Sequence, residues 1–231
     1  MIKDNLKIVR KNISEACKRS GRREDEVTLI CVSKTKPVEA IIDAIEANEY
    51  DFGENKVQEL CDKYDIIENT DVSWHMIGHL QRNKVKYIIG KTKLIHSVDS
   101  LRLAKQIQDE SEKKGVITDV LIEVNVAEEE SKFGIKVNEC EDFVRTIAKY
   151  SNIRIKGLMT IAPFVSNPEE NRKIFKELKK LYVDIREKNI DNVIMETLSM
   201  GMTNDYEIAI EEGATMVRVG TGIFGERQYF R

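Results

Sequence analysis

Lys34 closes an apolar run, Val27-Thr28-Leu29-Ile30-Cys31-Val32-Ser33, and a proline follows at position 37. An unpaired ammonium in apolar surroundings is costly, and the common escape is loss of the proton. The neutral amine is then a nucleophile toward carbonyl carbon. A commoner fate for a strand-end lysine is to snorkel past the strand into water, and the local pattern alone leans that way. Alternation puts Thr28, Ile30, Val32 and Lys34 on one strand face. Lys34 is therefore expected as the last strand residue, held by the scaffold. Lys36 is expected in the turn beyond, as a mobile neighbour whose charge lowers the Lys34 pKa.

A second set of residues suits an anion. Ser199, Met200, Gly201, Met202 and Thr203 follow one apolar run, and Gly220, Thr221 and Gly222 follow another. Glycine lets backbone N–H groups approach a phosphate, and a serine or threonine hydroxyl adds a donor. Ordinary loop and cap use explains either cluster taken singly. Arg218 shares a strand face with Met216 and Gly220, so it should point into the same space. An arginine there keeps its charge and must pair with a carboxylate, or donate to a ring nitrogen or a phosphate. Asn55 ends another short strand. His75 and His79 flank an apolar pair and suit structural hydrogen bonds, while His96, inside a strand, is given no role.

These residues need a frame to bring them together. Strand-like and helix-like patterns alternate along the whole chain. An amphipathic helix over 2–20 comes first, and strands follow at 27–34, 50–54, 73–78, 93–97, 118–125, 154–160, 193–198 and 215–219. Helical periods over 38–48, 55–65, 81–88, 100–114, 136–150, 168–188 and 204–212 separate them. Helical crossovers imply a parallel sheet, and about eight such units suit a closed (β/α)8 TIM barrel with an extra N-terminal helix. Strands apolar on both faces, such as Leu121-Ile122-Glu123-Val124, agree with burial on both sides. No G-x-G-x-x-G follows the first strand, which weakens a dinucleotide fold. In a barrel the carboxyl ends of the strands form the active face, and Lys34, Asn55, Ser199, Gly201, Arg218, Gly220 and Thr221 all fall there.

Composition narrows the class. A single domain over 1–231 is the economical division of 231 residues with no low-complexity linker. The net charge of −3, with both signs interspersed, supplies no footprint for nucleic acid. No apolar run approaches a membrane span, and the first residues do not resemble a signal peptide. Cys17, Cys31, Cys61 and Cys140 match no metal-ligand spacing and read as reduced thiols, so a cytoplasmic location is expected.

A strand-end lysine, an inward arginine and paired phosphate-type loops together suggest pyridoxal 5′-phosphate, whose aldehyde joins a lysine amine. Longer blocks carry a resemblance. They are Val32-Ser33-Lys34-Thr35-Lys36-Pro37, Phe52-Gly53-Glu54-Asn55, and Trp74-His75-Met76-Ile77-Gly78-His79-Leu80-Gln81-Arg82-Asn83-Lys84. Further along are Ser131-Lys132-Phe133-Gly134, Gly157-Leu158-Met159, Leu198-Ser199-Met200-Gly201-Met202, and Val217-Arg218-Val219-Gly220-Thr221-Gly222-Ile223-Phe224-Gly225. The chain resembles the pyridoxal-phosphate homeostasis proteins, which are related to the barrel domain of alanine racemase. The resemblance spans nearly the whole chain. It implies a Schiff base between the cofactor and Lys34, phosphate held by Ser199, Gly220 and Thr221, and Arg218 facing the pyridine nitrogen. Asn55, Met200 and Gly201 complete the implied cofactor-binding set. Thr203 stands where many relatives have serine, which keeps the hydroxyl.

The resemblance also implies control of the free cofactor pool, with no catalytic residue and no metal. An arginine at the pyridine nitrogen disfavours its protonation and weakens the ring as an electron sink. Racemization needs a second acid–base group, which the racemases take from a further domain and a partner subunit; this sequence has no segment for such a domain. The expected partners are the cofactor itself and PLP-dependent apoenzymes as recipients, with the protein a monomer. A racemase-like enzyme, an aldolase-type barrel whose lysine attacks a phosphorylated sugar, and a ligand-free interaction module are the competing readings.

Overall fold

The computed structural model describes residues 1–68, 70–129 and 133–226. Within them, parallel strands close into a barrel in chain order. They are β1 (Thr28–Val32), β2 (Asp51–Glu54), β3 (Ser73–Met76), β4 (Leu94–Val98), β5 (Thr118–Glu123), β6 (Ile153–Met159), β7 (Val193–Met202) and β8 (Met216–Val219). Helix α1 (Ile2–Arg19) precedes the barrel. Helices α2 (Val38–Ile45), α3 (Val57–Ile66), α4 (Val85–Ile88), α5 (Leu101–Lys114), α6 (Cys140–Ile147), α7 (Arg172–Glu187) and α8 (Tyr206–Glu211) follow β1 to β7. A single turn, α9 (Thr221–Phe224), follows β8 where the sequence suggested only a tail.

The local signals are ordinary ones. Ser100 accepts from the Leu103 N–H to start α5, and Gly115 ends it in the left-handed conformation. Helix α7 buries Ile174, Phe175, Leu178, Tyr182 and Ile185 and turns its charged residues to water. The main core lies between barrel and helices, where Leu29, Phe52, Trp74, Met76, Ile95, Ile122, Leu198 and Val217 face outward. A smaller cluster of Leu94, Leu121 and Met159 fills the barrel interior, with Met216 packed against it. The strands also bury polar residues, among them His75, His96, Glu123, Ser199 and Arg218. At Gly157, on β6, an added Cβ would stand 1.7 Å from the Thr197 carbonyl oxygen, so the β6–β7 approach excludes any side chain.

Two strand boundaries differ from expectation, with consequences for the site. β1 stops at Val32: the Ser33 N–H still bonds Gly53 O, but the chain then turns at Lys34 and Thr35, closed by the Lys36 N–H to Ser33 O. Lys34 is thus carried by a turn two residues past the strand. β7 runs on to Met202, so Ser199, Met200 and Gly201 are strand residues.

Helix α1 clamps the seam where the barrel closes. It buries Leu6, Val9, Ile13, Ala16 and Cys17. Asn5 Nδ2 donates to Ile223 O at 2.8 Å, and Arg19 pairs with Glu207 and Glu211 of α8. Just beyond α1, Arg22 Nη1 reaches the carbonyls of Ile210 and Ala214. No helix among the described residues is long and apolar enough to cross a membrane.

Candidate functional site

Ring order sets the site. β8 pairs with β7 (Met202 beside Arg218) and with β1 (Ile30 beside Arg218, Cys31 beside Val219), and β1 pairs with β2. The carboxyl ends of these four adjacent strands therefore bring Thr203, Gly220–Gly222, Lys34 and Asn55 to one side of the mouth. Lys34 and the Gly220 loop are neighbours across the β1–β8 seam, where a Cβ added at Gly220 would stand 3.4 Å from Val32.

The turn carrying Lys34 is braced from behind. Thr35 holds φ +62°, an uncommon conformation for a β-branched residue. Its N–H donates to Glu59 Oε1 at 2.5 Å. Lys63 Nζ donates to Ser33 O, Glu54 Oε1 and Glu59 Oε1, each at 2.7 Å, and Ser33 Oγ donates to Glu54 Oε1 at 2.6 Å. Burial raises the Glu54 carboxyl above its ordinary value, although Lys63 and Ser33 pull it back. Lys36 is no mobile neighbour of Lys34. Its ammonium donates to the carbonyls of Phe224, Gly225 and Glu226 at 2.9–3.1 Å, capping α9.

Across the seam, Thr203 Oγ1 accepts from the N–H of Gly220 at 3.2 Å and of Gly222 at 3.5 Å. Two backbone donors thus converge on the Thr203 hydroxyl oxygen, and a phosphate oxygen seated here would take them over from it. Thr221 is exposed at the start of α9. Asp205 fixes the Thr203 turn by accepting from Met202 N at 2.7 Å, and its other oxygen accepts from Asn171 at 2.8 Å.

Three residues of the expected set have other positions. Ser199 is wholly buried inside the barrel, its hydroxyl 2.5 Å from Arg218 Nη1 and 3.0 Å from His96 Nδ1. The hydroxyls at the Gly220–Gly222 loop are those of Thr203 and Thr221. Met200 packs in the core under the helices and offers the mouth no side-chain group. Gly201, at φ +87°, is glycine because a Cβ would lie 2.5 Å from Ala209 Cβ and 2.9 Å from Tyr206 Cα of α8. Its role is close packing.

Arg218 points inward as its strand face required, 4 % exposed. Nη2 donates to Thr160 O at 2.8 Å. Burial brings its pKa down to about 10, against the opposing pull of Asp205 and Glu123, so it remains a cation at neutral pH. Asn55 is half-buried just past β2 and lines a cavity of about 320 Å³ with Gln58, His79, Gln81 and Lys84. A second cavity, about 740 Å³, lies farther round the mouth beside Arg82 and Arg102, away from Lys34. His79 Nδ1 stands 3.2 Å from Asp99, and its ring stacks on Phe133. Ser131 and Lys132 of that sequence block lie outside the described residues.

Sequence reasoning missed the brace of Glu54, Glu59 and Lys63, noted the Thr203 hydroxyl without placing it in the site, and gave His96 no role. The Glu59–Lys63 spacing of four on α3 was a readable signal. Nothing in the sequence indicated that the pair is turned toward the Lys34 turn.

The fold and this side of the mouth together define a parallel barrel with a lysine-bearing turn beside a glycine–threonine loop. The chain belongs to the alanine racemase N-terminal domain family, whose model matches residues 5–228, and within it to the pyridoxal phosphate homeostasis proteins. The relative of that name from Aquifex aeolicus is 44% identical over 226 residues, covering 98% of both chains. The one from Escherichia coli K12 is 38% identical, covering 99% of this chain and 97% of the relative. Among solved structures, PipY of Synechococcus elongatus PCC7942 with PLP bound superposes with a TM-score of 0.83 at 30% identity, covering 97% of this chain and 100% of that one. An alanine racemase of Clostridium difficile 630 shares the fold, with a TM-score of 0.76 at 16% identity, over 98% of this chain and 58% of that one.

Proposed function

We propose that this chain binds pyridoxal 5′-phosphate at the β7–β8–β1–β2 side of the mouth and serves the homeostasis of the free cofactor, as a single-domain carrier with no strong turnover of its own. The observation that carries the reading is the adjacency of Lys34 to the Gly220–Thr221 loop, with Arg218 beneath. The donor set fits the group. Backbone N–H groups of Gly220 and Gly222, with Thr203 and Thr221, hold the phosphate. Lys34 takes the aldehyde, Arg218 faces the pyridine nitrogen, and Asn55 borders the ring side. Ser199 acts on the cofactor through Arg218, while Met200 and Gly201 shape β7. The cofactor supplies a reversible covalent link to the amine. The protein supplies position and a cation at the ring nitrogen, and that cation keeps the bound group a poor electron sink. The names of the relatives and the bound PLP in PipY support this reading. The setting is cytoplasmic, the protein a monomer, and PLP-dependent apoenzymes are the recipients.

The test is a visible spectrum of the purified protein before and after borohydride, with peptide mapping of the reduced adduct. A cofactor band that reduction fixes to Lys34, absent in Lys34→Ala, is the expected result. An adduct on Lys36, or a colourless protein that takes up no added cofactor, overturns the assignment. Assays with L- and D-alanine should show no turnover that depends on Lys34; a Lys34-dependent rate favours a racemase-like enzyme instead. Recovery of activity by an added apoenzyme tests delivery.

A further inference from the structure

A line of hydrogen bonds crosses the barrel interior below Arg218. Lys93 Nζ, just before β4, and His75 Nε2 both stand 3.0 Å from Asp51 Oδ1. His75 Nδ1 is 3.0 Å from His96 Nε2, and His96 Nδ1 is 3.0 Å from Ser199 Oγ. Arg218 Nη1 then donates to Ser199 Oγ. Both imidazoles are wholly buried and meet edge to face.

The protons in this line have one consistent arrangement. A carboxylate only accepts, so the His75 nitrogen facing Asp51 must carry hydrogen. A neutral His75 then presents a bare Nδ1, which requires hydrogen on His96 Nε2. His96 Nδ1 is in turn bare, so the Ser199 hydroxyl donates to it and leaves its oxygen free to accept from Arg218. Reversing the line sets bare His75 Nε2 against the carboxylate and points two donors at the serine oxygen. Burial above all favours neutral imidazoles here; at His75 the Asp51 carboxylate opposes it, and at His96 a proton on His75 would add to it, as the Arg218 cation does. Burial alone would raise the Asp51 carboxyl, but its bonds to His75 and Lys93 bring it below its ordinary value.

We propose that Asp51, His75, His96 and Ser199 form a one-directional relay, its sense set by Asp51, that positions the Arg218 guanidinium for the cofactor ring. These are positioning residues, acting on the mouth from the opposite end of the barrel. The effect on the cofactor rests on the function proposed above; the direction of the relay does not.

The test reads imidazole tautomers by two-bond proton–nitrogen correlation in nitrogen-15-labelled protein without cofactor, with His79 as internal reference. His75 and His96 should both be neutral with hydrogen on Nε2. Hydrogen on Nδ1 of His75 overturns the relay, whatever the cofactor does. Asp51→Asn keeps the shape but can face His75 with oxygen or nitrogen. It should mix the two tautomers and weaken pyridoxal 5′-phosphate retention about fivefold, the scale of one perturbed hydrogen bond. Ser199→Ala should weaken retention similarly while leaving the His75 tautomer unchanged. Wild-type tautomers and retention in Asp51→Asn overturn the proposal, and if that variant fails to fold the wild-type spectrum decides. A wild-type protein that takes up no cofactor defeats the proposed function while the spectrum still decides the relay.

Discussion

Glu123 ends β5 with its carboxyl buried, 5 % exposed. Burial, and after it the charge of Asp99, pushes its pKa up to about 7, with Arg218 opposing. In the unfolded chain a glutamate titrates near 4.3. Between those values the native state holds more protons than the unfolded state, so stability falls as pH rises. The contribution is full below the unfolded pKa and lost by the time pH passes about 7, a change on the order of 3 kcal/mol. Glu123→Gln should therefore flatten the decline in urea midpoint between pH 5 and 8 and exceed the wild type at pH 8. An unchanged slope assigns the titration to another group. At this scale the sequence was partly legible. Lys34 and Arg218 stood out because a charge in an apolar run demands an explanation. The bonds of Ser199 to His96 and Arg218 were not legible, because those residues are distant in sequence and meet it only in the closed barrel.

The elements were legible where periodicity is strong, and less so at their ends. Eight strands and their helices follow from alternation and the 3.6-residue period. The end of β1 did not, because buried Ser33 extends the apolar run and Thr35, a non-glycine at positive φ, gives no turn signal. The extension of β7 was hidden by Gly201, which reads as a loop residue but is demanded by α8. That demand is testable. In Gly201→Ala the new methyl meets Ala209 and the Tyr206 backbone at distances that force β7 and α8 apart, and the left-handed φ adds strain. A loss of about 2–3 kcal/mol, read from urea unfolding, is expected for overpacking of this kind. Cofactor retention should weaken as well, since the Thr203 turn joins the two displaced elements. Wild-type stability in this variant would show that the approach of α8 to β7 is loose.

At the scale of the whole molecule, a barrel must hold its first and last strands together, and here much of that work falls to α1. The helix lies against α8 and α9, which follow β7 and β8. Leu6, Val9 and Ile13 are buried there, each worth about 1.5–3 kcal/mol on removal from water. Arg19 and Asn5 add polar ties to α8 and to α9. Just beyond α1, Arg22 bonds the Ile210 carbonyl of α8 and the Ala214 carbonyl in the loop that leads to β8. The apolar part alone is comparable with the whole stability of a domain, about 5–15 kcal/mol. Deleting residues 1–20 should therefore remove cooperative unfolding and expose apolar surface, seen as a lost urea transition and strong binding of a hydrophobic dye. Helix content by circular dichroism should fall by more than the deleted helix accounts for, because α8 and α9 lose the face they pack on. A truncated protein with a sharp transition near the wild-type midpoint would place closure in the β1–β8 pairing itself, with α1 only a cover.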